Sequence, residues 1–163
     1  MDVYNNKNIT DNNAHELMQV TAKQNQINEN NILKNDIFFT PTSETPDDIG
    51  RVHVIEETLH NTVYSYHLIR YRPNNRVFYS IFPKYSLMSE SIRKQFFTAA
   101  KGVQRYVISK LDFETIETYI PTYLEQSKIG ELFRLLDNLI TLHQREWEKL
   151  KKVKKSLLKA MFV

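Results

Sequence analysis

Apolar residues recur every three or four positions from Leu124 to Val163, about forty residues with no proline and one early glycine, Gly130, and this spacing predicts one long helix. On a seven-residue grid one seam holds Ile129, Leu136, His143, Leu150 and Leu157. The neighbouring seams hold Leu132, Leu139 and Val153, and Phe133, Ile140, Trp147 and Met161. Pro121 stops what precedes, Thr122 and Glu125 have the spacing of a capping box, and six lysines between Lys149 and Lys159 suit a helix C-terminus. Such a helix spans roughly 55 Å at about 1.5 Å per residue, further than the radius of the small body before it. The stripe Ile129, Leu132, Leu136, Ile140, His143, Trp147, Leu150 and Leu157 is therefore expected to meet a partner helix. The plainer alternative is an amphipathic helix folded back on its own domain. His143 on the seam reads as a register-setting polar position in a helix pair, not as a metal ligand.

Ahead of the helix the pattern shortens to strand length. HELMQV (residues 15–20) is the one clear apolar segment of an Asn- and Gln-rich beginning and reads as a strand. Ile32-Leu33 and residues 37–40 form an extended pair around the turn Lys34-Asn35-Asp36. In TPTSETPDDIG the residues Pro41, Pro46 and Gly50 forbid regular structure, so an exposed polar loop is expected. Residues 52–55 and 63–71 are β-rich, the second alternating as a half-buried strand; a turn follows at Pro73-Asn74-Asn75, and residues 77–82 fit strand or helix. A helix from Ser89 to Lys101, capped by Ser89 and closed by Gly102, precedes a strand at 103–109, a turn at 112–115 and a last strand at 116–120. The expected class is α+β: a small mixed-sheet body followed by one long helix.

Composition narrows the chemistry. The 163 residues, 41% hydrophobic and 12% aromatic, suffice for a real core. With no cysteine there is neither a disulfide framework nor a thiolate metal site, and no apolar run nears the ~20 residues of a membrane span, so a cytoplasmic location is expected. Charge is uneven: residues 1–60 carry net −6, residues 61–110 net +8 and residues 111–163 net +1. The basic middle also holds ten of the aromatic residues, an interleaving that suits a polyanion, although a basic block is often only a solvated face. The three glycines are isolated, which excludes a P-loop and a GxGxxG motif. No Asp or Glu has Lys two residues later, as a common metal-dependent nuclease needs, and the five histidines show no paired spacing. Asp47-Asp48 reads as a solvated loop and not as an acid/base pair.

Three stretches together resemble the specificity subunits of type I restriction-modification systems. They are residues 31–55 with TVYSYHLIRYRP (62–73), KQFFTAAKGVQRYVISKLDFETIETYIP (94–121), and EQSKIGELFRLLDNLITLHQREWEKLKKVKKSLLKAMF (125–162). The last is similar to the family's conserved spacer helix. The resemblance implies a DNA target-recognition domain over residues 1–121 and a spacer and dimerisation helix over 122–163. In the family two such halves lie in one subunit and their helices pair as an antiparallel coiled coil; this chain is similar to one half, and without the family's lead-in Met1 is expected to stand part-way into a recognition domain.

The resemblance further implies a non-catalytic chain that carries no cofactor, reads one half-site of a bipartite target in double-stranded DNA, and recruits a methyltransferase subunit and a restriction subunit. The methyltransferase would use S-adenosylmethionine to methylate adenine. Phosphate contacts are expected from Arg70, Arg72, Arg76, Lys84, Lys101, Arg105 and Lys110. Base reading is expected from Thr42, Ser43, Glu44 and Thr45 with Arg51 in the first loop, Tyr64 and Tyr66 on the adjoining strand, and Lys101, Gln104, Arg105 and Tyr106 after the capped helix. For the Ser and Thr residues the plainer role is turn formation, and for the two tyrosines it is core packing. A single half leaves the helix stripe uncovered, and a homodimer through that helix is the expected closure, with pairing to a different half-subunit as the competing outcome. The rival function is a helical adaptor that binds no DNA sequence-specifically.

Overall fold

The protein is described by a computed structural model over residues 9–162. A 3-10 turn (Asp11–Glu16) and helix α1 (Gln24–Glu29) lead to the strands β1 (Asn31–Ile32), β2 (Ile37–Phe39), β3 (Thr42–Ser43), β4 (Val52–Val54), β5 (Leu59–Val63) and β6 (Ile69–Tyr71). Helices α2 (Phe82–Ser86) and α3 (Glu90–Ala99), strand β7 (Tyr106–Val107), helix α4 (Lys110–Phe113) and the long α5 (Tyr123–Met161) complete the chain. The class is α+β.

Three apolar residues in a row make β2 the centre. It pairs antiparallel with β4 on one side (Phe38 opposite His53) and with β6 on the other (Phe38 opposite Arg70). Because side chains alternate across a strand, Ile37 and Phe39 enter one core with Ile49, Val52, Val54, Leu87, Ile92, Phe96 and Ile108, while Phe38 enters a second with Ile9, Ile32, Ile55 and Leu59. Strands β1 and β5 form a separate antiparallel pair, as do β3 and β7. Three small antiparallel sheets thus stand where one mixed sheet was expected.

Several local expectations are corrected by this division. HELMQV is not a strand, because its first two residues close the 3-10 turn and the rest is irregular. Residues 63–71 are two strands in different sheets, interrupted by a turn in which Leu68 N–H donates to Ser65 O at 3.1 Å. Tyr64 and Tyr66 lie between those strands, not on one. Residues 116–120 run without a ladder, and the turn expected at 112–115 begins with the short helix α4. The first loop is more ordered than its prolines suggest, with β3, a 3-10 turn at Pro46–Asp48, and Ile49 fully buried.

Helix α5 starts where the capping box places it: Thr122 N–H donates to Glu125 at 3.0 Å, and Glu125 N–H to the Thr122 hydroxyl at 3.4 Å. Its first turns dock on α2. Gln126 is 2% exposed and Gly130 lies under Phe82. Phe133 stacks on Tyr85 with ring centres 5.0 Å apart. Lys84 and the Tyr85 hydroxyl both reach Asp137, at 2.8 and 3.0 Å, a pairing in which the Lys84 ammonium first holds the Asp137 carboxyl below its usual range. Beyond that point every residue from Asn138 to Phe162 is exposed, so the helix extends roughly 35 Å from its dock. Ile129, Leu132, Leu136, Ile140, Trp147, Leu150 and Leu157 are exposed along it. His143 is exposed as well, with its ring 3.1 Å from Glu146.

Candidate nucleic-acid interface

The β3–β7 ladder joins the two segments from which base contacts were expected, although some sixty residues separate them. Thr42 pairs with Val107 and Ser43 with Tyr106, and Lys101 closes the second segment by exchanging two backbone hydrogen bonds with Val107, at 2.9 and 3.0 Å. An Arg105 guanidinium nitrogen stands 3.4 Å from the Thr42 hydroxyl, across the junction. The ladder therefore brings the half-buried Thr42 and the exposed Glu44 and Thr45 near the exposed Lys101, Gln104 and Arg105.

Within these segments some candidates support the loop instead of pointing outward. Ser43 is buried and its hydroxyl accepts from Thr45 N–H at 3.2 Å. Thr45 and Arg51 both bind Asp48, the hydroxyl at 2.9 Å and the guanidinium Nε at 2.9 Å, and chiefly through Arg51 they hold the Asp48 carboxyl below the usual range. Tyr106 packs against the larger core. Lys101 binds Asp112 at 2.9 Å, where the Ser109 hydroxyl and then Lys101 lower the carboxyl's pKa.

Arg93 was not anticipated. It lies on α3 and its guanidinium donates to the carbonyls of Asp47 and Ile49, which fixes the first loop from below; burial pushes its pKa down. A cation one helical turn ahead of the buried Phe96 gives no hint in sequence of which carbonyls it will meet.

Tyr64 and Tyr66 are not brought to these two segments. The Tyr64 ring packs on Phe38 at 5.0 Å and carries the Arg70 guanidinium at 4.8 Å, on the side of β2 away from the larger core. Tyr66 is 88% exposed in the turn, against His67.

Most cations expected at phosphates have internal duties. Arg70 donates to the carbonyls of Asn31 and Glu29. Arg72 grips the fully buried Asp36 with two nitrogens, at 2.6 and 2.7 Å, which raises its own pKa. Lys84 holds the helix, and Lys110 is 3.9 Å from Glu114 on its own helix. Arg76 and Arg105 remain exposed. Among the described residues no group of three or more His, Cys, Asp or Glu is placed to hold a metal, and no helix is long and apolar enough to cross a membrane.

Comparison with known proteins gives this arrangement its family. Over 150 residues the chain is 25% identical to the type I restriction enzyme MjaVIII specificity subunit of Methanocaldococcus jannaschii, covering 91% of this chain and 32% of that protein. It is 25% identical over 143 residues to a putative type I restriction enzyme MjaX specificity subunit of the same organism, covering 86% and 33%. The chain thus spans about a third of the length of the curated relatives it matches. The profile of the type I restriction modification DNA specificity domain matches residues 1–152, and the chain belongs to that family.

Proposed function

We propose that this chain reads one half-site of an interrupted DNA target and has no catalysis of its own. The observation that carries the reading is the β3–β7 ladder, which brings together two segments that bear hydroxyl, carboxylate, amide and guanidinium groups. Those are the groups that can pair with base edges: Arg with guanine, Gln with adenine, Glu with cytosine. Residues 1–121 are the recognition unit in this proposal and α5 is the spacer.

The partners follow from the same reading. A methyltransferase subunit, and with it a restriction subunit, is recruited to the DNA in the cytoplasm, and the exposed stripe of α5 pairs antiparallel with a second copy. In that pairing the Lys149 to Lys159 end of one helix lies beside the Glu125 to Asp137 end of the other, so charge and apolar pattern favour one arrangement.

Equilibrium binding to a pool of random duplexes, repeated across salt concentrations, tests the function. Enrichment of one sequence, with affinity falling steeply as salt rises, is expected. Uniform, salt-insensitive or absent binding would favour the helical adaptor instead. Co-purification from cells encoding a methyltransferase subunit tests the recruitment.

A further inference from the structure

The apex of the second segment carries a side chain that the polar contacts do not use. Val103 is 92% exposed, between Gly102 and the exposed Gln104 and Arg105. A single exposed valine is ordinary on a protein surface. Its frame is not. The loop is closed at its base by the two hydrogen bonds between Lys101 and Val107, and Val107 is held in turn by β3.

Gly102 has φ +138°, and a Cβ there would lie 2.0 Å from the Arg105 carbonyl oxygen. Only glycine permits this reversal. With the backbone of Arg105 filling the space beside Gly102, the intervening Val103 and Gln104 form an apex that is open to solvent. Valine is stiff at χ1, so a branched pair of methyl groups is held at a built position next to an amide and a guanidinium.

Resting on the DNA reading proposed above, we propose that Val103 is a specificity-determining residue that packs on the 5-methyl group of a thymine in the major groove. Only thymine among the four bases offers a methyl group there, and short apolar side chains are the groups that read it. The flanking cations direct the apex toward DNA instead of an apolar partner surface. Valine is also shorter than the Phe, Leu, Ile or Met wedges that pry base steps apart from the minor groove.

The test is a double-mutant cycle with the full chain. A duplex is selected by the wild-type chain from a random pool, and each thymine in it is replaced in turn by deoxyuridine, which lacks only that methyl group. At one position the replacement is expected to weaken wild-type binding about fourfold, the value of one methyl removed from water. With Val103→Ala, whose single methyl group reaches less far, the same replacement is expected to cost clearly less. Val103 is solvent-exposed, so the circular dichroism of Val103→Ala is expected to match that of the wild type. Indifference of the wild-type chain at every thymine, or equal losses for both proteins, overturns the assignment while leaving sequence-specific DNA binding in place. Failure of the wild-type chain to select any sequence overturns both.

Discussion

Gln126 on the long helix accepts a hydrogen bond from the backbone N–H of Tyr79 at 2.8 Å, and its amide nitrogen donates to the carbonyls of Val77 and Pro121, both at 3.0 Å. One nearly inaccessible side chain thus satisfies three backbone groups of the irregular segments beneath α5. Gln126→Leu keeps a similar size but strands those groups, and should lower the unfolding free energy by about 2 kcal/mol. Urea denaturation followed by circular dichroism measures it; a loss within error would mean that water replaces the amide without cost.

Arg72 and Asp36 make the opposite kind of prediction from the one their charges suggest. Asp36 is fully buried, and Arg72 is its ionic partner. Arg72→Met leaves a buried carboxylate unpaired and should destabilise by about 3 to 5 kcal/mol. The protein would lose DNA binding only by unfolding. An Arg72→Met chain that melts like wild type but fails on DNA would return Arg72 to the interface.

Arg105→Ala should instead leave the melting curve unchanged and weaken specific binding by about 1 to 3 kcal/mol, with relaxed preference at one base pair. Binding curves and selected-sequence profiles read the two effects. An unaltered profile would remove Arg105 from base reading.

His53 lies buried on β4, and burial, followed by the Lys84 ammonium, pushes its pKa from 6.5 down to about 4. At neutral pH it is uncharged in the folded chain and mostly uncharged in the unfolded one. Below 6.5 the unfolded chain binds a proton that the folded one refuses, so stability is lost as pH falls from 6.5 towards 4, by about 3 kcal/mol in total. Melting His53→Gln alongside wild type from pH 7 to 4 should show a shallower slope for the variant.

The apolar seam of α5 predicts the oligomeric state. Light scattering at micromolar concentration should give twice the 19.4 kDa chain mass, and Leu136→Asp or Leu150→Asp should return it to the monomer. A strict monomer that ignores both substitutions would sink the homodimer.

What the sequence discloses here depends on the length over which a pattern repeats. The helix from Tyr123 to Met161 has eleven turns of periodicity and a capping box, so its span and its start are legible within a residue or two. Strands of two or three residues offer no period at all, and Thr42-Ser43, between two prolines' influence, becomes a strand only because Tyr106-Val107 lies beside it. The alternation from Val63 to Tyr71 runs through a turn that the pattern does not mark. Cations are the least legible: Arg70, Arg72 and Lys84 look free in the chain, and each is taken up by groups 36 to 53 positions away. Of the residues expected to read bases, 42–45 and 101–106 do come together, while Tyr64 packs on Phe38 and Tyr66 stands exposed in the turn after it.

The pairing of β3 with β7 also bears on how such a domain changes its target. A substitution at Thr42 alters what Arg105 rests on, and a shift at Tyr106 moves Ser43 with it. A change at either ladder pair therefore reaches the other segment, unlike one confined to the exposed apex side chains. If the two segments read DNA as proposed, new preferences would be reached most readily when both are exchanged together, as one body, and stepwise change at the ladder residues would more often abolish recognition than redirect it.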